Sequence, residues 1–156
     1  MKRFGLLIGS VLIAEGAGAI GSLFTAPAIS QWYQFLNKPP FNPPNYLFAP
    51  VWIILYALMG VAIYLVVRDG WSRPGVRTAS VLYGVQLVLN AIWSIIFFGL
   101  RSPFWGLIDI GLLWIAIVFL IPVFHKLNKA AAYLLVPYFL WVSFAAALNF
   151  SIWQLN

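Results

Sequence analysis

Long apolar runs separated by short polar or proline-rich connectors repeat along the whole chain. Five of them lie near 5–25, 46–67, 78–100, 104–124 and 132–153. Each reaches the roughly 20 residues that a helix needs to cross a hydrocarbon core of about 30 Å. The connectors are the long loop 26–45, the basic turn 68–77, the tight Gly99-Leu100-Arg101-Ser102-Pro103 and the stretch His125-Lys126-Leu127-Asn128-Lys129. In lipid a spanning segment must satisfy its own backbone, so each run is predicted as a helix. Strands of a membrane barrel alternate over about ten residues, and these runs do not. The pattern predicts an all-α membrane protein, a single five-transmembrane-helix bundle over residues 1–156 with no soluble domain and no internal repeat.

Composition agrees on the solvent. With 63% hydrophobic residues, 8% charged residues and a mean hydropathy of +0.95, the chain has too little polar surface to coat a water-soluble domain of 156 residues. The formal charge of +6 is not a nucleic-acid footprint, because the basic residues are scattered through the connectors. They act instead as topology signals. Lys2, Arg3, Arg68, Arg73, Arg77, Lys126 and Lys129 fall on one side of a five-span bundle, and Lys38 and Arg101 on the other. By the positive-inside rule the N-terminus is cytoplasmic, with the proline loop and the C-terminus outside. The absence of cysteine excludes disulfides and thiolate metal sites. Met1-Lys2-Arg3, an apolar stretch and the small residues near Thr25-Ala26-Pro27-Ala28 imitate a cleavable signal peptide. Glu15 in mid-run, the length of the run and the four spans that cleavage would leave favour its retention.

Three features inside the spans bear on chemistry. Glu15 falls at the predicted bilayer centre, where a charged side chain costs on the order of 3 kcal/mol. It is either a proton or ligand contact or a neutral carboxyl bonded to a neighbouring helix; Asp109, one turn into the fourth run, is shallower. Small residues (Gly5, Gly9, Ala14, Gly18, Ser22) recur along the first helix, and Ser80, Gly84 and Ala91 along the third. Such spacing permits close helix contact within a subunit or between two. Aromatic and amide residues form stripes at three- and four-residue steps: Gln86, Asn90, Trp93 and Phe97 in the third helix, and Tyr138, Trp141, Ala145, Leu148 and Asn149 in the fifth. Trp52 and Tyr56 make a third stripe. Packing and interfacial anchoring explain many such rings. An amide well inside a span, however, needs a partner, and apolar walls with a few convergent polar groups describe a ligand pocket.

The loop 26–45 is the most distinctive segment. Trp32 and Tyr33 open it, and Pro39, Pro40, Pro43 and Pro44 stiffen it by fixing φ and removing amide donors. Pro50 then stands where a first helical turn tolerates proline. A stiff aromatic lid beside aligned aromatics points to a flat apolar ligand.

These residues also carry a resemblance. Trp32-Tyr33, Leu36-Asn37-Lys38-Pro39, Pro43-Pro44, Phe48-Ala49-Pro50-Val51-Trp52 and Leu55-Tyr56 resemble the translocator protein family, the tryptophan-rich sensory proteins once called peripheral benzodiazepine receptors. Gln86-Leu87, Leu89-Asn90, Trp93-Ser94, Pro137-Tyr138, Trp141, Phe144-Ala145 and Leu148-Asn149 continue it in order through nearly the whole chain. The resemblance implies a five-helix pocket beneath the first loop that binds porphyrins such as protoporphyrin IX, haem-related tetrapyrroles and benzodiazepine-type ligands, with no required cofactor. The matching pocket positions are Tyr33, Trp52, Tyr56, Asn90, Trp93, Trp141, Ala145 and Leu148. It also implies a homodimer, and the expected location is a bacterial cell membrane with the N-terminus cytoplasmic. The animal members' sterol segment, a Tyr followed by an Arg, is not matched. Phe150 and Gln154 stand in that stretch, so sterol binding is not expected.

His125, the only histidine, lies in a basic connector and is read as a surface residue. No nucleophile triad, phosphate-cradling glycine loop or His/Cys metal cluster is present. Three functions therefore compete. One is a receptor or carrier for porphyrins. Another is an enzyme in which Trp52 and Trp141 support light- or oxygen-driven porphyrin degradation, as the resemblance allows. The third is a small transporter of hydrophobic cations, which lacks the paired inverted repeats usual for secondary transporters.

Overall fold

The computed structural model describes residues 2–156. Helix α1 covers Lys2–Gln31, α2 Phe48–Val67, α3 Val76–Ser94, α4 Pro103–Leu127, α5 Lys129–Leu134 and α6 Val136–Leu155. The last two follow each other closely and together form the fifth span. Five segments are long and apolar enough to cross a membrane, and the described residues contain no strand.

Two helices overrun their predicted ends, and both contain a proline. α1 passes position 25, takes in Pro27 and stops at Gln31, so the lid begins at Trp32. In lipid the alternative to a locally weakened helix is a solvent-starved turn, and nearby hydroxyls ease the defect. Thr25 Oγ1 donates to Gly21 O at 3.1 Å, and Ser30 Oγ donates to Pro27 O at 3.3 Å. α4 likewise passes Pro122 and absorbs His125 and Lys126, whose basic side chains suit the carbonyl end of a helix. The expected connector 125–129 shrinks to Asn128, which caps α5 by accepting from Ala131 N at 3.1 Å.

Contacts run around the bundle from α1 to α2, then to α5 and α6, α4, α3 and back to α1. Helices α1 and α2 come closest where Gly60 meets the Val11 backbone; a Cβ on Gly60 would stand 2.5 Å from Val11 Cα. Toward the lid, α1 leans on α3 instead: a Cβ on Gly21 would lie 2.9 Å from Ser94 Oγ. Gly18 fronts the Tyr56 ring, whereas Gly5, Gly9 and Gly84 have nothing within 4 Å. Within one subunit, then, the small-residue stripe of α1 packs from the fully buried Ala14 onward, and not at Gly5 or Gly9.

The end of α3 is a π turn, Ile95–Gly99, closed by Leu100 N donating to Ile95 O at 2.8 Å. The extra residue in this turn lets Phe97 and Phe98 both point inward, which consecutive positions of a regular helix do less readily. Charge sorts as the sequence predicts. Arg3, Arg68 and Arg73 surround Asp69 at 3.6–3.7 Å, and Gly75 faces Leu127 near the end of α4. Lys38 and Arg101 sit at the lid end, where Arg101 reaches Gln31 at 3.4 Å. The side chain of Lys2 lies outside the described residues.

Candidate ligand pocket

The lid is held by its own polar groups. Tyr33, in the short turn Tyr33–Phe35, donates its hydroxyl to Asn42 Oδ1 at 2.6 Å. Lys38 Nζ donates to the carbonyls of Tyr33, Gln34 and Leu36 at 2.9, 3.1 and 2.9 Å and lies 5.1 Å from the Tyr33 ring centroid. The loop's one charge is therefore spent inside the loop. Asn37 and Asn156 exchange bonds: Asn37 N donates to Asn156 Oδ1, and Asn156 Nδ2 donates to Asn37 O, both at 2.9 Å. That pair pins the lid to the end of α6. Burial pushes the Tyr33 phenol up to about 12.

Under the lid, α2, α3 and α6 contribute rings that meet edge-on. Trp52 packs against Trp141 at 6.5 Å and against Tyr138 at 6.4 Å, while Phe48 reaches Trp141 at 6.3 Å. Trp93 stacks on Phe97 at 5.3 Å. These rings bridge the gap between α2 and α6, which scarcely touch directly. The slot they enclose holds only about 20 Å³ of free space. Trp93 Nε1 donates to Asn149 Oδ1 at 3.1 Å, and Asn149 Nδ2 donates to Pro103 O at 2.7 Å. Trp141 Nε1, by contrast, is buried with no partner.

Six of the eight predicted pocket residues meet at this slot: Tyr33, Trp52, Trp93, Trp141, Ala145 and Leu148. The other two lie elsewhere. Asn90 is 1% exposed and lines neither the slot nor its neighbour. It ties three helices together: Tyr56 donates to Asn90 Oδ1 at 2.5 Å, Asn90 Nδ2 donates to Tyr138 OH at 2.8 Å, and Tyr138 donates to Gln86 Oε1 at 2.8 Å. Tyr56 turns its ring toward a second, larger cavity of about 530 Å³ between α1, α2 and the end of α3. That cavity shares Tyr33, Phe48, Trp52, Trp93 and Phe98 with the slot, so these side chains form a common wall.

Phe97 and Asn149, which the sequence stripes contained but the eight pocket positions did not, also line the slot, and sequence reasoning missed Phe48, Phe98, Phe144 and Ile152 as slot residues. Phe48 was visible in principle, since it precedes Trp52 by four. Phe98 was hidden by the π turn. Asp109 is buried with Oδ2 unpartnered and faces neither cavity, and His125 is exposed. Among the described residues no group of His, Asp or Glu is placed to hold a metal. The slot thus presents ring faces and edges from three helices and one buried donor, Trp141 Nε1, that no group of the protein accepts from.

Known proteins are similar to this chain over most of its length. A tryptophan-rich protein TspO of Chlorobaculum tepidum is 50% identical over 139 residues, covering 89% of this chain and 88% of that one. A protein of the same name from Archaeoglobus fulgidus is 43% identical over 96% of both chains. The translocator protein of Bos taurus is 36% identical over 96% of this chain and 89% of its own. The family pattern itself spans residues 10–154, from the contact of α1 with α2 to the last turn of α6. Lid, aromatic slot and most of all five spans thus fall within the match, and the chain belongs to the TspO/MBR family.

Proposed function

We propose that this protein is an integral-membrane receptor and carrier for porphyrin-type tetrapyrroles, with protoporphyrin IX or a haem-related relative held in the aromatic slot. One observation carries the reading: three indoles, Trp52, Trp93 and Trp141, converge under a pinned lid with an unbonded donor, Trp141 Nε1, among them. A tetrapyrrole offers wide π faces for the indoles and acceptor atoms for that donor, and a buried donor left unpaired costs about 1–3 kcal/mol. The free space in the slot, about 20 Å³, is far below the roughly 300 Å³ of ordinary ligand sites. Entry then requires the common wall to swing toward the larger cavity. The names carried by relatives, translocator protein and tryptophan-rich sensory protein, accord with carriage and sensing.

The seven-to-two charge sorting supports a cytoplasmic N-terminus in a bacterial cell membrane, with the lid outside. A Cβ on Gly5, Gly9 or Gly84 would meet nothing within 4 Å in its own subunit, which suits the contact of a homodimer. Sterol is not part of the proposal: Phe150 and Gln154 present neither hydroxyl nor cation on the exposed face of α6.

A second reading, oxidative degradation of the bound porphyrin under light and oxygen, is favoured by the ring contact of Trp52 with Trp141 at the slot wall. Titrating the purified protein with protoporphyrin IX in the dark and under light separates the two. Saturable quenching without a new absorbing species supports binding alone, and a light-dependent product supports turnover. No saturable quenching in either condition overturns both.

A further inference from the structure

The two ends of the bundle use their cations differently. At the lid end Lys38 Nζ is held by three carbonyls, and Arg101 reaches Gln31. At the far end Arg3, Arg68 and Arg73 gather on one carboxylate, Asp69. Gly70 takes a φ of +120°, a conformation open to glycine, and the turn it makes returns Arg73 to within 3.6 Å of Asp69. Arg3, from the start of α1, stands 3.7 Å from the same carboxylate.

That carboxylate does not satisfy its neighbours. The three separations, 3.6–3.7 Å, exceed the roughly 2.7–2.9 Å of a charge-assisted hydrogen bond, and Arg68 Nε is buried with no hydrogen-bond partner. Three guanidiniums drawn to one Asp repel one another, and only one of the three charges is offset. Arg77 opens α3, Lys126 lies in the last turn of α4 and Lys129 opens α5. They add to the surplus, because every ion pair among the described residues centres on Asp69. Depth is marked by two exposed rings at this end, Trp71 at 61% and Tyr133 at 64%. Amphipathic rings of this kind sit at the headgroup level of a bilayer, which places the guanidiniums beside lipid phosphates. A guanidinium fork matches phosphate oxygens two at a time. A zwitterionic headgroup brings its own cation and leaves the surplus uncompensated, whereas an anionic one offsets it.

We propose that this basic end is a docking surface for anionic phospholipid, whose headgroup phosphate accepts from the Arg3, Arg68 and Arg73 N–H groups that Asp69 does not reach. A lipid held there ties the start of α1 to the turn between α2 and α3. The proposal rests on neither cavity and holds in whichever leaflet this end lies.

Native mass spectrometry of the full chain in neutral detergent tests it. Bound molecules are counted during titration with dioctanoyl phosphatidylglycerol, with dioctanoyl phosphatidylcholine, and with glycerol phosphate as the headgroup without its chains. Phosphatidylglycerol should bind saturably and several-fold more tightly than phosphatidylcholine, and glycerol phosphate at equal concentration should leave it in place. Arg73→Gln should weaken phosphatidylglycerol binding about fivefold, the scale of one basic residue at an anionic surface. Arg101→Gln, at the lid end, should not. Raising the ammonium acetate concentration should erode the preference in the unaltered chain by screening, which keeps the test decisive if Arg73→Gln fails to fold. Equal binding of the two lipids overturns the proposal, as does displacement by glycerol phosphate, which would make the surface a site for soluble anions. A preference unchanged in Arg73→Gln, or unchanged at high salt, overturns it too.

Discussion

Both ends of the Asn90 amide are engaged by phenols, one from α2 and one from α6. The side chain that looks like a ligand contact in the sequence is thereby the knot of the helix core. Tyr138→Phe would strand Asn90 Nδ2 and Gln86 Oε1 in an apolar interior. We expect it to destabilise the protein by about 1–2 kcal/mol, near the upper end for interhelical bonds in membranes. Thermal melting in detergent checks this, with Tyr46→Phe, at an exposed position, leaving the melting temperature unchanged. Tyr33 supplies a pH test. Its phenol is raised to about 12 by burial, from an ordinary value of 10.0, so the folded state keeps a proton that the unfolded chain loses. The stabilising difference is complete below pH 10 and is lost as pH rises from 10 toward about 12. Alkaline loosening of the lid, followed by phenolate absorbance and protease sensitivity, should be blunted in Tyr33→Phe. At this scale the sequence made the aromatic identities legible, because Trp52, Trp93 and Trp141 sit at helical spacing from other apolar rings. It could not show which polar groups are already bonded, since the Asn90 and Asn149 partners come from other helices.

Glycine use separates helix faces that the residue pattern alone leaves equivalent. Gly60→Leu would drive side-chain atoms into the Val11 backbone, whereas Gly9→Leu meets nothing within 4 Å. The first should lower the melting temperature sharply and the second leave the monomer's stability intact; equal effects would contradict the packing described. The sequence displayed both glycines but not which one faces a neighbour, because small-residue spacing has a period and no direction. Helix limits show a related gap. Pro27 reads as a stop in water, yet it lies inside α1, because lipid offers an unwound backbone no alternative partner; Pro122 lies inside the predicted fourth run, and α4 continues past that run's end to Leu127. The lid is the most exposed element to test. Asn156→Ala removes its bonds to Asn37, and hydrogen exchange across residues 34–42 should quicken while the spans stay protected.

As a whole, the molecule is a bundle tightly packed at its basic end and opened toward its lid by the divergence of α1 from α2 and of α2 from α6. Five spans and their charge asymmetry were readable because bilayer thickness and interior negative potential act directly on run length and on Lys and Arg placement. The narrow slot and the wider cavity beside it were not, since cavity volume depends on helix angles and on rings contributed from three helices. The central claim is that the indoles under the lid form a binding face rather than generic packing. The direct measurement is the dissociation constant of protoporphyrin IX in the dark for Trp52→Ala, Trp141→Ala and Trp71→Ala, the last in the basic turn and 61% exposed. Loss of an aromatic stacking face is worth about 1–3 kcal/mol, so the two slot variants should bind roughly 5- to 150-fold more weakly with Trp71→Ala unchanged. Equal, small losses in all three would contradict the assignment of the slot.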